Sequence, residues 1–416
     1  MEKEALKEFL QKDAAQKVVQ YKSVALPWAT GVGKTFAALQ AVEATHSKSI
    51  LVFVAERAHK INWNDEITKF KDIYKDTLND DVSFIFECYN SIHKYVGTEC
   101  DMLIFDEAHH LHTQKRMECA KYITSEFTMY LSATMGYYTL KDFQDLYGKP
   151  IHTIPYSMNR SINANILPEP KIVAVPLDLQ KANGTVIIEE SWGRKENRVE
   201  IKCRFEKRFT FLRNKKLYKN VTLKMEATPY QAYNYYTSQA DVYKNLFMKE
   251  KLPIFETKWK QYLLKRKKML GSSKLQHAIE IINLLRLKQK KFICFCNNIE
   301  QAEILGGPMS IHSKKSNNSE IIEKFNNDAI RELYAVDMLK EGQNLKGIEA
   351  GIIIQLDAEM RNFIQKLGRV MRSKSPVFFV IFYKGTRDAE LMSETIADFD
   401  RKYITTLEKY KEENGQ

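Results

Sequence analysis

The sequence predicts an α/β protein: two parallel-sheet domains in tandem, with a β-rich basic insertion between the stretches that carry their motifs. Three observations lead there. In residues 1–150, apolar strand patterns alternate with helical ones, which implies a parallel sheet covered on both faces. A second alternation of the same kind begins near residue 274. Between the two, residues 184–225 hold short β-type runs and a concentration of charge, with twelve Lys or Arg against three Glu from Arg194 to Lys224.

Taken in order, Met1 to Leu10 forms an amphipathic helical pattern with charges of both signs, unlike a signal peptide. Strand patterns follow at Val24–Ala29, Ile50–Ala55, Ser83–Tyr89, Met102–Asp106 and Met129–Ala133, with helical patterns at Thr35–Glu43 and Ala58–Phe70. Residues 151–180 are punctuated by Asn, Pro and Ser and read as a linker leading into an extended segment. The runs Thr185–Glu189 and Val199–Phe205, with turn-like stretches at Trp192–Asn197 and Arg213–Lys216, predict hairpins. Pro229–Lys249 and Trp259–Leu270 read as helices, as does Leu275–Leu287. The second set of strands is Phe292–Cys296, Leu333–Val336, Gly351–Gln355 and Val377–Tyr383, and the tail from Ala389 reads as a polar amphipathic helix. The expected domains are 1–157, 158–226 (linker and insertion) and 227–416.

The chain has 416 residues, 44% hydrophobic and 28% charged, a composition that supports two or three independent cores. No apolar run is long enough to span a bilayer. Six cysteines are scattered without a Cys-x-x-Cys pair, which argues against zinc or a disulfide framework and for a reducing cytoplasm. The net charge of +12 favours a polyanionic partner, nucleic acid first.

Two stretches carry chemistry. Leu26 to Thr35 leads from an apolar strand into a helix through Gly31 and Gly33, which let the backbone approach a polyphosphate closely. Thr30, Gly31, Val32 and Gly33 would turn their amides towards the anion, Lys34 would reach the β- and γ-phosphates, and the Thr35 hydroxyl would ligate Mg²⁺. Trp28 stands where the general phosphate loop has its first glycine. In Leu103–Leu111, Asp106 and Glu107 directly follow an apolar strand. Asp106 suits a water-shelled Mg²⁺, and Glu107 suits orientation and deprotonation of an attacking water. His109, His110 and His112 lack the cysteine or spaced carboxylate that would complete a metal cluster.

Ala29-Thr-Gly-Val-Gly-Lys-Thr35 with Asp106-Glu-Ala-His109 resembles the superfamily 2 helicases and translocases of the DEAD/DEAH-box class. Ser132-Ala133-Thr134 resembles the motif that couples nucleotide state to the nucleic-acid site in that family, with His109 and Gln365 belonging to the same coupling set. Gln365-Lys-Leu-Gly-Arg-Val-Met-Arg372 resembles the motif that supplies arginine fingers, here Arg369 and Arg372. Glu341-Gly342-Gln-Asn344-Leu345 resembles the preceding motif, with Asn344 in place of its aspartate. The resemblance implies two RecA-like domains, ATP and Mg²⁺ as cofactors, Gly342 near the nucleotide and Gln11 as the residue that reads adenine. Asn62-Trp-x-x-Glu66 matches the segment that contacts the nucleic-acid backbone in the family. Ala55-Glu56 departs from the usual Pro-Thr there, which leaves Arg57 as the contact.

The motifs are similar to restriction-enzyme-type motors, while Asn62–Phe70 and Ala227–Tyr233 look more like Swi/Snf-type duplex translocases. The expectation is therefore an ATP-dependent DNA helicase or a translocase on double-stranded or branched DNA. The alternatives are an RNA helicase and an ATP-gated nucleic-acid-binding subunit. In the insertion, Lys202, Arg204, Lys207, Arg208, Lys215 and Lys216, interleaved with Trp192, Phe205, Phe209, Phe211 and Tyr218, would contact nucleic acid by charge and stacking. Alternatively, the rings form a small β core beneath a solvated basic face. A cytoplasmic monomer is expected, in a host cytoplasm if the origin is a phage, with room for a separate protein partner.

Overall fold

The computed structural model describes residues 3–75, 77–78, 81–133, 135–193, 198–207, 220–336, 345–356, 373–397 and 399–415. The first sheet is assembled from β1 (Ser23–Pro27), β2 (Ser49–Val54), β3 (Ser83–Cys88), β4 (Glu99–Asp106), β5 (Thr124–Ser132) and β6 (His152–Thr153). Its order is β3-β2-β4-β5-β1-β6, and every pairing is parallel. Strands β1 and β2 are almost wholly buried, and β4 and β5 are buried over their apolar second halves, as a sheet covered on both faces requires. The helices on this half are α1 (Lys3–Tyr21), α2 (Lys34–Thr45), α3 (Arg57–Ile73), α4 (Gln114–Ala120), α5 (Tyr137–Tyr147) and α6 (Met158–Asn163).

The second sheet also holds parallel pairings only: β12-β13-β11-β14-β15-β7-β16. Its strands are β7 (Lys171–Leu177), β11 (Phe292–Phe295), β12 (Ser310–Ile311), β13 (Glu332–Ala335), β14 (Ala350–Ile353), β15 (Val377–Tyr383) and β16 (Ile404–Thr406). Strand β7, expected only as an extended segment, pairs with β15 over its whole length. β16 pairs only with Ile172–Ala174, so Pro176, which has no N–H to donate, lies beyond that pairing. The chain therefore enters the second sheet before it makes the insertion. The tail is not one helix. It forms α12 (Arg387–Ile396), strand β16 and α13 (Leu407–Glu413), because Ile404 and Tyr403 join the apolar cluster of the second sheet.

The insertion is a three-stranded mixed sheet, β8 (Val186–Trp192), β10 (Val221–Ala227) and β9 (Val199–Arg204), in the order β8-β10-β9. The expected hairpin between β8 and β9 does not form. β10 lies between them, antiparallel to β8 and parallel to β9. The reason is apolar alternation: Val221, Leu223, Met225 and Ala227 are all buried, while β9 has no buried residue. After the sheet come two long helices, α7 (Pro229–Glu250) and α8 (Pro253–Ser273), joined by two residues. Thr228 caps α7 through a full capping box with Gln231, which starts the helix sharply. The remaining helices, α9 (Leu275–Leu287), α10 (Ile299–Gly306) and α11 (Asn318–Asn326), cover the second sheet. Among the described residues, no helix is long and apolar enough to cross a membrane.

A buried ion pair locks the second half. Lys274 is fully buried and reaches Asp388, itself 1% exposed, at 2.5 Å. Its ammonium also donates to the Ile354 carbonyl and to Gln355 Oε1, each at 2.9 Å, and Gln355 Nε2 donates to Asp388 Oδ1 at 2.6 Å. Burial pushes the lysine pKa down, and the Asp388 carboxylate opposes that shift. The network ties the start of α9 to the end of β14 and to α12. Removing one partner leaves a buried charge uncompensated, which costs about 3–5 kcal/mol. Lys274→Met is expected to lower the urea midpoint of unfolding accordingly. An unchanged midpoint would mean that the pair contributes little.

Candidate functional site

In the first sheet the functional loops lie at the carboxyl ends of strands, the edge where parallel sheets bind ligands. The phosphate loop leaves β1, the central-edge strand between β5 and β6. Gly31 and Gly33 take φ values of 91° and 102°, a region that side chains with a Cβ rarely adopt. Gly33 is also the N-cap of α2, so the helix begins at Lys34 and its first amides face the loop. Trp28 is fully buried, donates Nε1–H to the Ile154 carbonyl at 2.8 Å and meets Tyr156 edge-on. Ala29 N–H donates to the Tyr156 carbonyl at 3.1 Å. Trp28 thus packs under the loop and pins it to the strand after α5. Lys34 Nζ donates to the Trp28 carbonyl at 3.1 Å, which holds the ammonium over the loop. Thr30 and Thr35 are partly exposed, and Val32 is buried.

Gln11 lies on α1 and is 6% exposed. A Cβ built on Gly33 would collide with its amide. The residue expected to read the base therefore sits directly against the phosphate loop, and α1 packs closely on α2.

The two carboxylates sit at the end of β4. Asp106 closes the strand, and Glu107 follows in the left-handed region at φ 50°. This turn sends the two side chains apart. Asp106 Oδ2 accepts from Trp63 Nε1 at 2.9 Å, and Oδ1 accepts from the Glu107 backbone N–H at 3.1 Å. Tyr89 O–H donates to the Asp106 carbonyl at 2.9 Å and fixes the strand end. Glu107 Oε2 lies 3.5 Å from His109 Nδ1, which is 3.1 Å from Ser132 Oγ at the end of β5. Glu107, His109 and Ser132 therefore form one chain of contacts from the β4 edge to the β5 edge. Ala133 follows on the same edge, partly exposed. His110 stacks near His109 and Tyr89, while His112 pairs with Asp142 at 2.6 Å, so the three histidines face different partners.

A Mg²⁺–polyphosphate fits these residues. The donors near it are a hydroxyl (Thr35) and a carboxylate (Asp106), the hard oxygens that Mg²⁺ takes alongside phosphate oxygens and water. The buried Nδ1 of His59, 3.8 Å from Asp106 Oδ2, makes no hydrogen bond among the described residues, which leaves a buried polar atom to be satisfied beside that carboxylate. When bound, the cation would neutralise phosphate charge and polarise the phosphoryl oxygens.

The nucleic-acid residues are less converged. Arg57 is exposed at the first turn of α3, behind Glu56, which is the N-cap. Lys202, Arg204 and Lys207 are exposed on or after β9. Lys202 lies 3.8 Å from Glu200, which also pairs with Lys224 at 2.7 Å, so part of the basic face is internally offset. Trp192 and Phe205 pack against the core of the second half, and Phe205 meets Tyr235 edge-on. These two rings follow the small-core reading, not the stacking one. Thr134, Arg208, Lys215, Lys216, Gly342, Gln365, Arg369 and Arg372 lie outside the described residues.

Sequence reasoning missed the anchoring residues His59, Tyr89, Tyr156 and Leu167, whose methyl would lie 3.1 Å from a Cβ on Gly31, and it placed Trp63 in a segment that contacts nucleic acid, whereas its ring is 2% exposed and bonded to Asp106. For His59 and Trp63 a signal was available, since residues four apart share one helix face. Gly33→Ala is expected to lower nucleotide affinity at least tenfold, because left-handed backbone costs about 1–2 kcal/mol and the new Cβ displaces Gln11. A nucleotide-binding isotherm reads this directly, and wild-type affinity would contradict it.

Residues 1–136 match the family described as Type III restriction enzyme, res subunit, and residues 273–374 match the helicase conserved C-terminal domain. The chain is 24% identical over 386 residues to the DNA 3′-5′ translocase XPB2 of Sulfurisphaera tokodaii, covering 87% of this chain and 78% of that protein. Among solved structures it is similar to S. cerevisiae Dbp5 bound to RNA and ADP BeF3, with TM-score 0.53 and 11% identity, covering 94% of this chain and 88% of that one. The Pyrococcus furiosus Hef helicase domain aligns with TM-score 0.47 and 14% identity over 94% of this chain and 97% of that one. With both motor-domain families matched in order, and two parallel sheets that place a phosphate loop and an acidic pair at one edge, the chain belongs to the superfamily 2 helicases.

Proposed function

We propose that this protein is an ATP-dependent DNA helicase or a translocase on double-stranded or branched DNA. The observation that carries the motor reading is the contact chain Glu107–His109–Ser132 beside the phosphate loop. It offers a path from the residue next to the reacting phosphate to the β5 edge. The DNA assignment draws support from the relative named as a DNA 3′-5′ translocase, and from the basic character of the insertion.

In this reading Thr30, Gly31, Val32, Gly33 and Lys34 hold the phosphates, Thr35 and Asp106 hold Mg²⁺, and Gln11 and Gly342 border the nucleotide. Glu107 orients and deprotonates the attacking water, so its carboxylate takes the proton as the water oxygen bonds to the γ-phosphorus and the bond to the bridging oxygen breaks, with ADP leaving. Arg369 and Arg372, within the stretch matched by the helicase C-terminal domain, stabilise charge on the transferring phosphoryl group. Fingers of this kind contribute on the order of 10³–10⁵ in rate. Because they come from the second domain, hydrolysis is fast only when the two domains close on ATP. Gln365, His109, Ser132, Ala133 and Thr134 link that closure to strand binding. Arg57, Lys202, Arg204, Lys207, Arg208, Lys215 and Lys216 supply backbone contacts, whose affinity falls as salt rises.

Lys34→Ala, Glu107→Gln and Arg372→Ala are each expected to cut nucleic-acid-stimulated ATPase by at least about 10³ while retaining the far-UV spectrum of the wild type. Full stimulated turnover in any of them would reject the motor assignment. ATPase measured with single-stranded, duplex, forked and four-way DNA, and with RNA, separates the substrate classes. Stimulation by duplex or branched DNA is expected. Stimulation by RNA alone would favour the RNA helicase, and nucleotide binding without turnover would favour an ATP-gated binding subunit.

A further inference from the structure

Helix α3 does more at this site than its position after β2 requires. Its two residues one turn apart, His59 and Trp63, both turn inward onto Asp106. Trp63 is 2% exposed, and its indole N–H takes one lone pair of Oδ2 at 2.9 Å. The Glu107 amide takes a lone pair of Oδ1, so the carboxylate is gripped from both oxygens and cannot rotate freely. The His59 side chain is 8% exposed, and its Nδ1 lies 3.8 Å from the same Oδ2 without a hydrogen bond among the described residues. Burying a polar nitrogen without a partner is costly, so its location beside a carboxylate calls for a ligand that completes it. Mg²⁺ dehydrates reluctantly and keeps several waters. A metal-bound water is a partner of the right size and polarity.

We propose that α3 supplies the outer shell of the magnesium site: Trp63 is a positioning residue that fixes Asp106, and His59 meets a water of the metal's hydration shell. The proposal rests on the motor reading, which places the Mg²⁺–nucleotide at Asp106. Outer-shell groups of this kind orient the direct ligands, and their loss costs about 10–100-fold in metal affinity. Packing alone accounts for the Trp63 ring, which lies 5.9 Å from Phe86, but not for its N–H bonded to Asp106 Oδ2 or for a buried histidine nitrogen beside that oxygen. The same helix starts at the exposed Arg57, so a strand contact at its first turn and the metal carboxylate are joined by one rigid element.

The test uses the full chain and a fluorescent ADP, titrated with Mg²⁺ and measured again in EDTA. Trp63→Phe keeps a ring against Phe86 and removes the donor together with some ring volume. His59→Leu removes the polar atom, and His59→Asn restores a hydrogen-bonding group. Trp63→Phe and His59→Leu are expected to keep the EDTA affinity and to need about tenfold more Mg²⁺ for half of the metal-dependent tightening. His59→Asn should recover most of the loss. In ATPase assays the Mg²⁺ requirement should rise by the same factor, with KM for nucleotide at saturating Mg²⁺ unchanged. Wild-type Mg²⁺ dependence in both Trp63→Phe and His59→Leu overturns the proposal, and His59→Leu carries the test if Trp63→Phe folds poorly. A wild-type chain that binds no nucleotide would instead reject the motor reading.

Discussion

The organisation of this molecule depends on a stretch of backbone in a conformation that glycine adopts readily and other residues rarely do. Gly31 and Gly33 both sit in the left-handed region, and the loop they shape stays put because its surroundings over-determine it. Trp28 is sealed beneath it and tied to Ile154, Gln11 closes on Gly33, and Leu167 lies under Gly31. These anchors come from α1, from the strand after α5, and from the segment that leads into the second sheet. A phosphate cradle is useful only if its amides are already aimed, since reorganisation at the moment of binding would consume the interaction energy. Apolar packing provides the aim. The same cluster runs from Trp28 through Ile166, Leu167 and Ile172 to Phe378 and Val380 of the second sheet.

The acidic edge obeys the same logic with polar contacts. Two adjacent carboxylates would repel each other if they pointed alike. The left-handed turn at Glu107 separates them, sending Asp106 to Trp63 and Glu107 towards His109. Backbone geometry and the groups each side chain meets thus give the neighbouring carboxylates different surroundings, the asymmetry on which the proposed roles of metal ligand and general base rest.

The insertion teaches a different lesson. Its charge is real, but charge in sequence is not charge on offer. Lys224 and Lys202 both lie near Glu200, and Trp192 and Phe205 are drawn into the core behind β10. Directly after the sheet, the capped start at Thr228 launches the long helix α7.

The sequence by itself determined the fold class, placed β1 to β4, β11 and β13 to β15 to within a few residues, and singled out Lys34, Asp106 and Glu107 as the chemical candidates. It could do so because phosphate binding and parallel sheets impose local rules: glycines at fixed offsets, buried apolar runs, carboxylates at a strand end. The tertiary structure alone decided what depends on distant partners. Strand β7 joined the second sheet because Ile172, Val173 and Val175 found β15 some 200 residues later, a pairing that no local pattern encodes. β10 separated β8 from β9 for the same reason, since its alternating side chains are the most deeply buried of the three strands. Lys274 reads locally as one more surface lysine, yet it is buried because Asp388 waits for it. Trp63 and His59 were visible as one face of a helix, but only folding could point that face at Asp106.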